Sequence, residues 1–245
     1  MRRFFIKPIS ADEPVAALGR EESRHLTRVL RLQVDDEVEL IDGIGNLYCG
    51  RVQSLGEKVL VGKLIKQPPI AETTAPLWVC QADLKGKKME LVVQKCTELG
   101  VSRIMPFTSN RSQGRVDRKG SERRRERWEM IVKSACKQSG RLTIMEIAAD
   151  LSYSALLGAD TLPDQVIKIL FWEEEQSLHL ADLNWQKQEK PICLMLGPEG
   201  GFSRTEVEQA RDAGWLIVSL GKQVLRAETA TIAAVAITQH LRGVM

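Results

Sequence analysis

The 245-residue sequence has no run of about 18 uninterrupted apolar residues, the length that a membrane-spanning helix needs. Residues 1–8 are basic, but neither an apolar stretch nor a small-residue cleavage site follows them, so we expect no secretory signal. Hydrophobic residues make up 43% of the chain and charged residues 27%, which suffices for a packed core. These features predict a cytoplasmic protein with room for two domains.

Cysteine and histidine are both scarce. The five cysteines are widely spaced and form no CxxC pair: Cys49, Cys80, Cys96, Cys136 and Cys193. Their apolar neighbours predict small buried side chains rather than disulfides or zinc ligands. The three histidines show no metal-ligand spacing: His25, His179 and His240. A metal-dependent enzyme is therefore disfavoured.

Two common nucleotide-binding signatures are also missing. The sequence contains no GxGxxG segment, so a dinucleotide site and a nicotinamide dehydrogenase are poorly supported. It contains no GxxxxGK[ST] segment either, which excludes a P-loop.

Basic residues are present in clusters, although the net charge is only +3. The largest cluster lies at 111–127 and contains eight basic residues and three acids. The basic residues are Arg111, Arg115, Arg118, Lys119, Arg123, Arg124, Arg125 and Arg127. The two others are Lys85, Lys87 and Lys88, and Arg2, Arg3, Arg24, Arg28 and Arg31. Any one of these clusters, taken alone, is explained as well by a solvated protein surface without a partner. Three in one short chain favour a polyanionic partner, held mainly through phosphate charge.

The first 70 residues differ in pattern from the rest of the chain. Short β-segments at 37–42, 47–52 and 59–65, preceded by a helix at 21–31, predict a small barrel or compact sheet. In that helix we expect His25, Leu26, Val29 and Leu30 to face inward. Pro68 and Pro69 begin a polar stretch that reads as an interdomain linker.

From residue 77 onwards, strands alternate with helices. The predicted strands are 77–80, 101–107, 143–147, 166–172, 192–196 and 216–220. The predicted helices are 88–99, 121–138 with Ser121 as N-cap, 204–214 opened by a capping box at Ser203 and Glu206, and 228–241. This alternation predicts an α/β domain with a largely parallel, buried sheet.

Two segments carry the features of a ligand site. Residues 192–203 run from a buried strand through a glycine-rich turn into a capped helix, and residues 218–230 run from a strand through Gly221 into the last helix. In open α/β sheets, ligands bind at the carboxyl ends of strands. The alternative interpretation of the first segment is a tight strand-to-helix connection, with proline and glycine as turn formers and no ligand. In the second segment, Arg226 and Glu228 are either a surface ion pair or a buried arginine and its neighbour beside a ligand loop.

The motifs LGPEGGFS (196–203) and LGKQVLRAETA (220–230) resemble those of the bacterial 16S ribosomal RNA (uracil-N3)-methyltransferases of the SPOUT superfamily. Four upstream segments add to the resemblance: KCTELGV (95–101) with Ile104 and Pro106; Arg111-Ser112; Arg127-Trp128 with Gln138 and Arg141; and His25-Leu26 with 29–31. The sequence departs from the family at 109–112, which read SNRS where SERS is common, and at Ala227, which is often threonine.

The resemblance implies a SPOUT-type α/β sheet with a C-terminal trefoil knot at 74–245, preceded by a PUA-like RNA-binding β-barrel domain at 1–70. It implies homodimers and a bent S-adenosylmethionine held by the knot loops. The implied cofactor-binding residues are Trp172, Glu173, Leu196, Gly197, Pro198, Glu199, Gly200, Gly201, Leu220, Gly221, Val224, Leu225, Arg226, Thr229 and Ala230.

The resemblance further implies methylation of uracil N3 in small-subunit 16S ribosomal RNA. Arg226 is the candidate for stabilising negative charge on the uracil, and Glu228 either accepts the N3 proton or orients Arg226. We expect RNA contacts from the following residues: Arg2, Arg3, His25, Arg28, Arg31, Lys87, Lys88, Arg111 and Arg115. Two alternatives stay open: methylation of another RNA position, ribose 2′-oxygens included, and a non-catalytic RNA-binding protein of ribosome assembly.

Overall fold

The computed structural model of the protein describes residues 2–9, 15–68, 75–112, 118–158, 161–185 and 190–245. The chain divides into two compact units. Unit 1 is Met1–Ala71 together with Cys136–Ile144, and unit 2 is Glu72–Ala135 together with Met145–Met245. Most of the predicted linker lies outside the described residues. The sequence pattern did not anticipate that Cys136–Ile144 belongs with unit 1.

Unit 1 is built on a five-stranded sheet that curls into a half-barrel. Its strands are β1 (Arg2–Phe5), β2 (Val15–Ala17), β3 (Glu37–Ile41), β4 (Leu47–Ser54) and β5 (Leu60–Lys66). The order is β1-β3-β4-β5-β2, with only the β1–β3 pair parallel. The three predicted strands are confirmed, whereas β1 and β2 were missed. Within the described residues no pairing joins β1 to β2, so the sheet is open and the predicted barrel is only half formed.

The single helix predicted at 21–31 is, in the structure, a short α-helix followed by a π-helical turn. Helix α1 (Arg20–Arg24) continues into a π-helical turn at His25–Val29. Leu26 is buried in the unit 1 core as predicted, but Val29 is 68% exposed. The wider π-helical turn changes the angle between successive side chains, so the 3.6-residue pattern placed Val29 on the wrong face.

Unit 2 contains a seven-stranded sheet in which every pairing is parallel. Its strands are β6 (Leu77–Ala82), β7 (Arg103–Thr108), β8 (Glu146–Ile147), β9 (Leu151–Ser152), β10 (Ile167–Phe171), β11 (Ile192–Leu196) and β12 (Leu216–Val218). The order is β12-β10-β11-β6-β7-β8, with β9 also beside β7. The prediction of a buried parallel sheet is confirmed. Four strands are shorter than predicted, at 101–107, 143–147, 166–172 and 216–220, and β9 was not predicted.

Five α-helices follow α1 among the described residues, and all except α4, which was not predicted, largely match their predicted ranges. They are α2 (Lys87–Glu98), α3 (Arg118–Ser139), α4 (Tyr153–Leu157), α5 (Arg204–Asp212) and α6 (Ala227–Leu241). The capping box at Ser203 and Glu206 is present. Ser121 is not an N-cap, because α3 begins at Arg118 and the Ser121 hydroxyl donates to Asp150 instead.

None of the five cysteines forms a disulfide, and the thiols of Cys80 and Cys193 lie 3.3 Å apart. Four are buried, whereas Cys49 is partly exposed because it lies on β4 of the open sheet. In the part of the chain that the structure describes, no helix is long and apolar enough to span a membrane. No group of three potential metal ligands occurs among those same residues.

Candidate functional site

A cavity of about 260 Å³ opens in unit 2 where β10, β11 and β12 end. Three loops line it: the segment after β10, the glycine-rich turn after β11, and the segment from Ser219 to the start of α6. The volume suits a small organic molecule, since a single water occupies only about 30 Å³. This position, at the carboxyl ends of parallel strands, is where open α/β sheets bind ligands.

The glycine-rich turn approaches the loop after β10 very closely. Gly201 has φ +65°, and a Cβ placed there would lie 2.2 Å from Oε1 of Glu173. The left-handed backbone favours glycine at this position, whereas the exposed Glu173 carboxylate could move away from a larger residue. The amide of Gly201 donates to the Pro198 carbonyl at 3.0 Å, which closes the turn.

Glu199 connects the glycine-rich turn to the loop after β6. Its Oε1 accepts from Nζ of Lys88 at 3.0 Å and from the backbone N–H of Lys85 at 3.2 Å. Burial acts to raise the pKa of Glu199, but hydrogen bonds from Lys88 and from backbone amides outweigh it and lower the pKa. Lys88 thus lines the cavity as the partner of Glu199.

Two polar atoms near the cavity are covered and have no hydrogen-bond partner among the described residues. They are the indole Nε1 of Trp172, a cavity residue, and Oε2 of Glu228, in the first turn of α6. Buried polar groups are normally paired. An unpaired donor in the cavity wall is therefore consistent with a site built for a polar ligand.

The structure brings most of the predicted cofactor-binding residues to this one cavity. The residues that line it are Trp172, Glu173, Leu196, Gly197, Pro198, Glu199, Gly201, Leu220, Gly221, Val224, Leu225, Arg226 and Ala230. Gly200 and Thr229 are not among them. The Gly200 carbonyl instead accepts from Nη1 of Arg111 at 2.9 Å. Thr229 is exposed because it faces away on the first turn of α6.

Arg226 lines the cavity but is exposed, so the reading of a buried arginine is wrong. It precedes α6 as the N-cap residue, where the backbone is extended, and the side chain is not enclosed by the helix. The described residues offer it no ion pair. The structure therefore does not show the surface ion pair with Glu228 that was the alternative.

Six further residues line the cavity that the sequence did not assign to the cofactor: Lys88, Phe171, Phe202, Ser219, Gln223 and Ala227. Phe202 and Gln223 lie inside the two recognised motifs, so the sequence could have identified them as cavity residues. Phe171 is buried at the end of β10 and reads as an ordinary core residue in the sequence.

The RNA-binding candidates of unit 1 fall into two groups. Arg2, Arg28 and Arg31 are exposed. Arg3 donates to Oε2 of Glu39 from two nitrogens, at 2.9 and 2.7 Å, and His25 packs edge-on against the Phe4 ring at 6.1 Å. The first group is free to bind phosphate, whereas the second is engaged within the unit.

In unit 2, the candidate Lys87 is exposed, and Arg115 lies outside the described residues. Lys87 belongs to a cleft between the loop after β6 and α3, which we call the basic cleft. Its lining includes Asp83, Lys85, Lys87, Glu90, Arg123, Arg124, Arg127 and Trp128.

Only part of the positive charge in the basic cleft is balanced by nearby acids. Arg124 pairs with Asp83 and Asp150, each at 3.0 Å, and stacks 4.8 Å above the Trp128 ring. Burial raises the pKa of Asp83 even though Arg124 opposes this. Arg127 pairs with Glu90 at 2.8 Å. Lys85, Lys87 and Arg123 have exposed side chains, and none of them forms an ion pair within the described ranges.

Comparison with known proteins agrees with this geometry. A family model described as the RNA methyltransferase domain matches residues 71–239, and one described as the RNA methyltransferase PUA domain matches residues 18–65. The chain is 30% identical to ribosomal RNA small subunit methyltransferase E of Synechocystis, over 96% of this chain and 76% of that one. It is 28% identical to the Bacillus subtilis protein of the same name, over 99% of both.

A solved structure provides the corresponding spatial comparison. The ribosomal RNA small subunit methyltransferase E of Neisseria gonorrhoeae, crystallised with S-adenosylmethionine, superposes with a TM-score of 0.88 at 32% identity over 98% of both chains. The family model covers well over half of the sequence, and the fold of that relative extends over both units. The chain therefore belongs to the RNA methyltransferase family that includes these ribosomal RNA small subunit methyltransferases E.

Proposed function

We propose that this protein transfers the methyl group of S-adenosylmethionine to N3 of one uridine in small-subunit ribosomal RNA. The observation that carries the proposal is the cavity in which the glycine-rich turn, the loop after β10 and the segment before α6 meet. Its support is the family membership and the Neisseria gonorrhoeae relative, whose structure contains this cofactor.

The residues of the cavity fit the cofactor. The unpaired Nε1 of Trp172 is a donor for one of its polar atoms, and the Glu173 carboxylate is an acceptor for its hydroxyl or amino groups. The backbone of 196–201 and 220–225 can approach an adenine closely because glycines interrupt both segments. When bound, S-adenosylmethionine supplies an electrophilic methyl group.

Arg226 is proposed as the catalytic residue that acts on the uracil. As N3 loses its proton, negative charge spreads to O2 and O4, and a guanidinium held at the cavity mouth stabilises that charge. The support for this role is that Arg226 is exposed, lines the cavity and has no acidic partner in the described part of the chain. Glu228, whose Oε2 is unpaired, either accepts the N3 proton or orients Arg226.

We predict that Arg226→Ala abolishes methyl transfer while S-adenosylmethionine affinity changes less than about threefold. The reason is that the guanidinium acts on the uracil rather than on the cofactor. Single-turnover transfer assays and calorimetric titration measure the two quantities separately. Lys222→Ala is the matched control, since Lys222 is an exposed cation of the same segment that does not line the cavity. Unchanged turnover in Arg226→Ala would remove this residue from the mechanism.

The RNA is proposed to contact both units. N3 is an interior edge of a paired uridine, so the target base must be unpaired or extruded. We assign residues 1–70 as a PUA-like RNA-binding domain and 74–245 as the methyltransferase domain. Arg2, Arg28 and Arg31 on the first, with Lys87 and Arg111 on the second, are exposed cations suited to phosphate. Arg3, His25 and Lys88 have partners within the protein, and Arg115 lies outside the described residues; RNA contacts from these four are proposed from the basic clusters and the family resemblance.

Three further features are proposed from the family resemblance. The loops after Trp172, at 196–201 and at 220–225 are the segments that would form a trefoil knot, an exception among protein folds. Threading predicts a slow refolding phase that is independent of protein concentration and, unlike the isomerisation of the nine prolines, is not accelerated by a prolyl isomerase; fast single-phase refolding would contradict it. The active form is proposed to be a cytoplasmic homodimer, which sedimentation equilibrium would test.

The function is tested by methyl transfer from labelled S-adenosylmethionine to small ribosomal subunits from a strain that lacks this protein, followed by nucleoside analysis. Label in 3-methyluridine supports the reaction, the cofactor and the substrate together. Label in another nucleoside keeps the methyltransferase and rejects uracil N3. Loss of both transfer and cofactor binding would leave a non-catalytic RNA-binding protein of ribosome assembly. Free ribosomal RNA, assayed in parallel, decides whether the assembled subunit is required.

A further inference from the structure

A glutamine is buried at the carboxyl end of β6, a central strand of the unit 2 sheet. Gln81 has no solvent exposure, and its neighbours Val79, Cys80 and Ala82 are buried apolar residues. A side-chain amide in such surroundings is stable only if its polar atoms are paired. The position thus calls for an explanation that the hydrophobic core does not provide.

All hydrogen-bonding groups of this amide have partners. Nε2 donates to the Gly197 carbonyl at 3.3 Å and to the Ala82 carbonyl at 3.0 Å. Oε1 accepts from the Thr231 hydroxyl at 2.6 Å. The amide orientation follows from the chemistry, because both carbonyls can only accept.

These partners connect the glycine-rich turn to α6, the helix that follows the third of the loops lining the cavity. Gly197 begins the glycine-rich turn and lines the cavity. Thr231 lies in α6, is fully buried, and its hydroxyl also lies 2.9 Å from the carbonyl of Ala227, the first residue of that helix. The first turn of α6 follows Arg226 and contains Glu228. One side chain therefore joins the cofactor turn to the segment that carries the proposed catalytic group.

We propose that Gln81 and Thr231 are positioning residues that hold the glycine-rich turn and the start of α6 in the geometry that cofactor binding requires. The inference rests on the proposed function, since it assigns the cavity to S-adenosylmethionine. Neither residue lines the cavity, so each acts through Gly197 or through the first turn of α6.

The decisive variant is Thr231→Val, which keeps the shape of the side chain and removes its hydroxyl. We expect the Kd for S-adenosylmethionine, measured by calorimetry on the folded full-length protein, to rise about tenfold. Gln81→Met removes the other partner of this hydrogen bond and should raise the Kd for S-adenosylmethionine by a similar factor. The double variant should be little worse than either single one, because both remove the same link. Thr231→Ser, which keeps the hydroxyl, should restore affinity.

Gln239→Met is the matched control. Gln239 is also a buried amide of α6, but its Nε2 donates at 2.8 Å to the Leu99 carbonyl at the other end of the helix. This variant should lower thermal stability while leaving cofactor affinity unchanged. If Thr231→Val does not fold, the affinities of Gln81→Met, which lacks this hydrogen bond, and Thr231→Ser, which keeps it, provide the same comparison.

Two outcomes separate the inference from the function on which it rests. If the unaltered protein binds S-adenosylmethionine and the Thr231→Val and Gln81→Met variants bind it equally well, the two residues are only structural and the inference is overturned. If the unaltered protein does not bind this cofactor at all, the proposed function itself fails.

Discussion

Glu199 shows how much a single residue of the glycine-rich turn can determine. Its carboxylate accepts from Lys88 and from the amide of Lys85, so it ties this turn to the loop after β6. The motif predicted a contact to a cofactor. The structure adds that one of the expected RNA-binding lysines is already engaged by this acid.

We predict that Glu199→Gln lowers the free energy of unfolding near neutral pH by at most about 1 kcal/mol, since the pair is partly exposed. The pKa of Glu199 is lowered in the folded state, so its contribution is present above the usual carboxyl range. That contribution is lost as the pH falls through the folded-state pKa. Urea titrations of both proteins over a pH range from about 3 to about 8 should therefore give unfolding free energies that converge at the acid end.

Glu208→Gln provides the comparison for this pH series, because Glu208 is an exposed acid of α5 that forms no ion pair in the described part of the molecule. Its unfolding curve should follow that of the unaltered protein at every pH. A difference between Glu199→Gln and the unaltered protein that grows towards low pH would contradict the assignment.

At the scale of the element, α5 has the best defined beginning. Ser203 Oγ accepts from the amide of Glu206 at 3.3 Å, and Glu206 Oε2 accepts from the amide of Ser203 at 2.9 Å. The sequence predicted this capping box from spacing alone. It could not show that the other carboxylate oxygen of Glu206 accepts from the amide of Asn110 at 2.9 Å. The cap of α5 therefore also fixes the loop that carries Arg111.

We predict that Ser203→Ala lowers the free energy of unfolding by about 1 kcal/mol, the usual cost of a lost N-cap. Glu206→Ala should cost more, because the amide of Asn110 also loses its acceptor inside the protein. Chemical denaturation measures both effects. Thr205→Ala, at an exposed position of the same helical turn, should change the stability much less. Equal losses in the serine and threonine variants would argue against the cap.

The π-helical turn at His25–Val29, unlike the cap of α5, was not predicted by the sequence pattern. The apolar positions of 21–31 fit a regular helix, and local pattern offers no reason to widen it. Ser23 is held from both sides, since its hydroxyl donates to the Leu18 carbonyl at 3.3 Å and accepts from the amide of Val59 at 2.9 Å. The hydrogen bonds to Leu18 and Val59 thus anchor the start of this segment within unit 1, and such tertiary contacts override helix propensity.

For the whole molecule, charge distribution says more than net charge. The formal charge of +3 is small, yet unit 2 gathers Lys85, Lys87 and Arg123 in the basic cleft without ion pairs among the described residues. The loop after β6 leads from this cleft to Glu199 at the cofactor cavity. A phosphate backbone held there would run close to the proposed site of methyl transfer.

We predict that the double substitution Lys85→Ala/Lys87→Ala weakens binding of single-stranded or ribosomal RNA and lowers the slope of log K against log salt by roughly 1.4–1.8. This is about 0.7–0.9 for each lost phosphate contact. Filter binding across a salt series gives the slope. Arg211→Ala, an exposed cation of α5 outside the cleft, should leave the slope unchanged. A double variant with the same slope as the unaltered protein would exclude the cleft from the RNA interface.

The features that the sequence predicted well are those that neighbouring residues decide. Hydrophobic periodicity, the glycine-rich turn and the capping box each depend on contacts within a few positions, so strands β6 and β11, helix α2 and the start of α5 were found at nearly their observed bounds. Motif resemblance extended this to most of the cavity lining, because the cofactor loops are continuous segments.

Tertiary structure alone decided the rest, because it depends on contacts between residues far apart in the chain. Cys136–Ile144 joins unit 1 although the residues on both sides of it belong to unit 2. Arg226 is exposed because no element among the described residues covers it, and no local sequence pattern reveals this. Gln81 and Thr231 are 150 positions apart, and only the packing of α6 near β6 allows their side chains to form a hydrogen bond. Local propensity specified the elements, and the burial of their faces against one another determined which side chains meet.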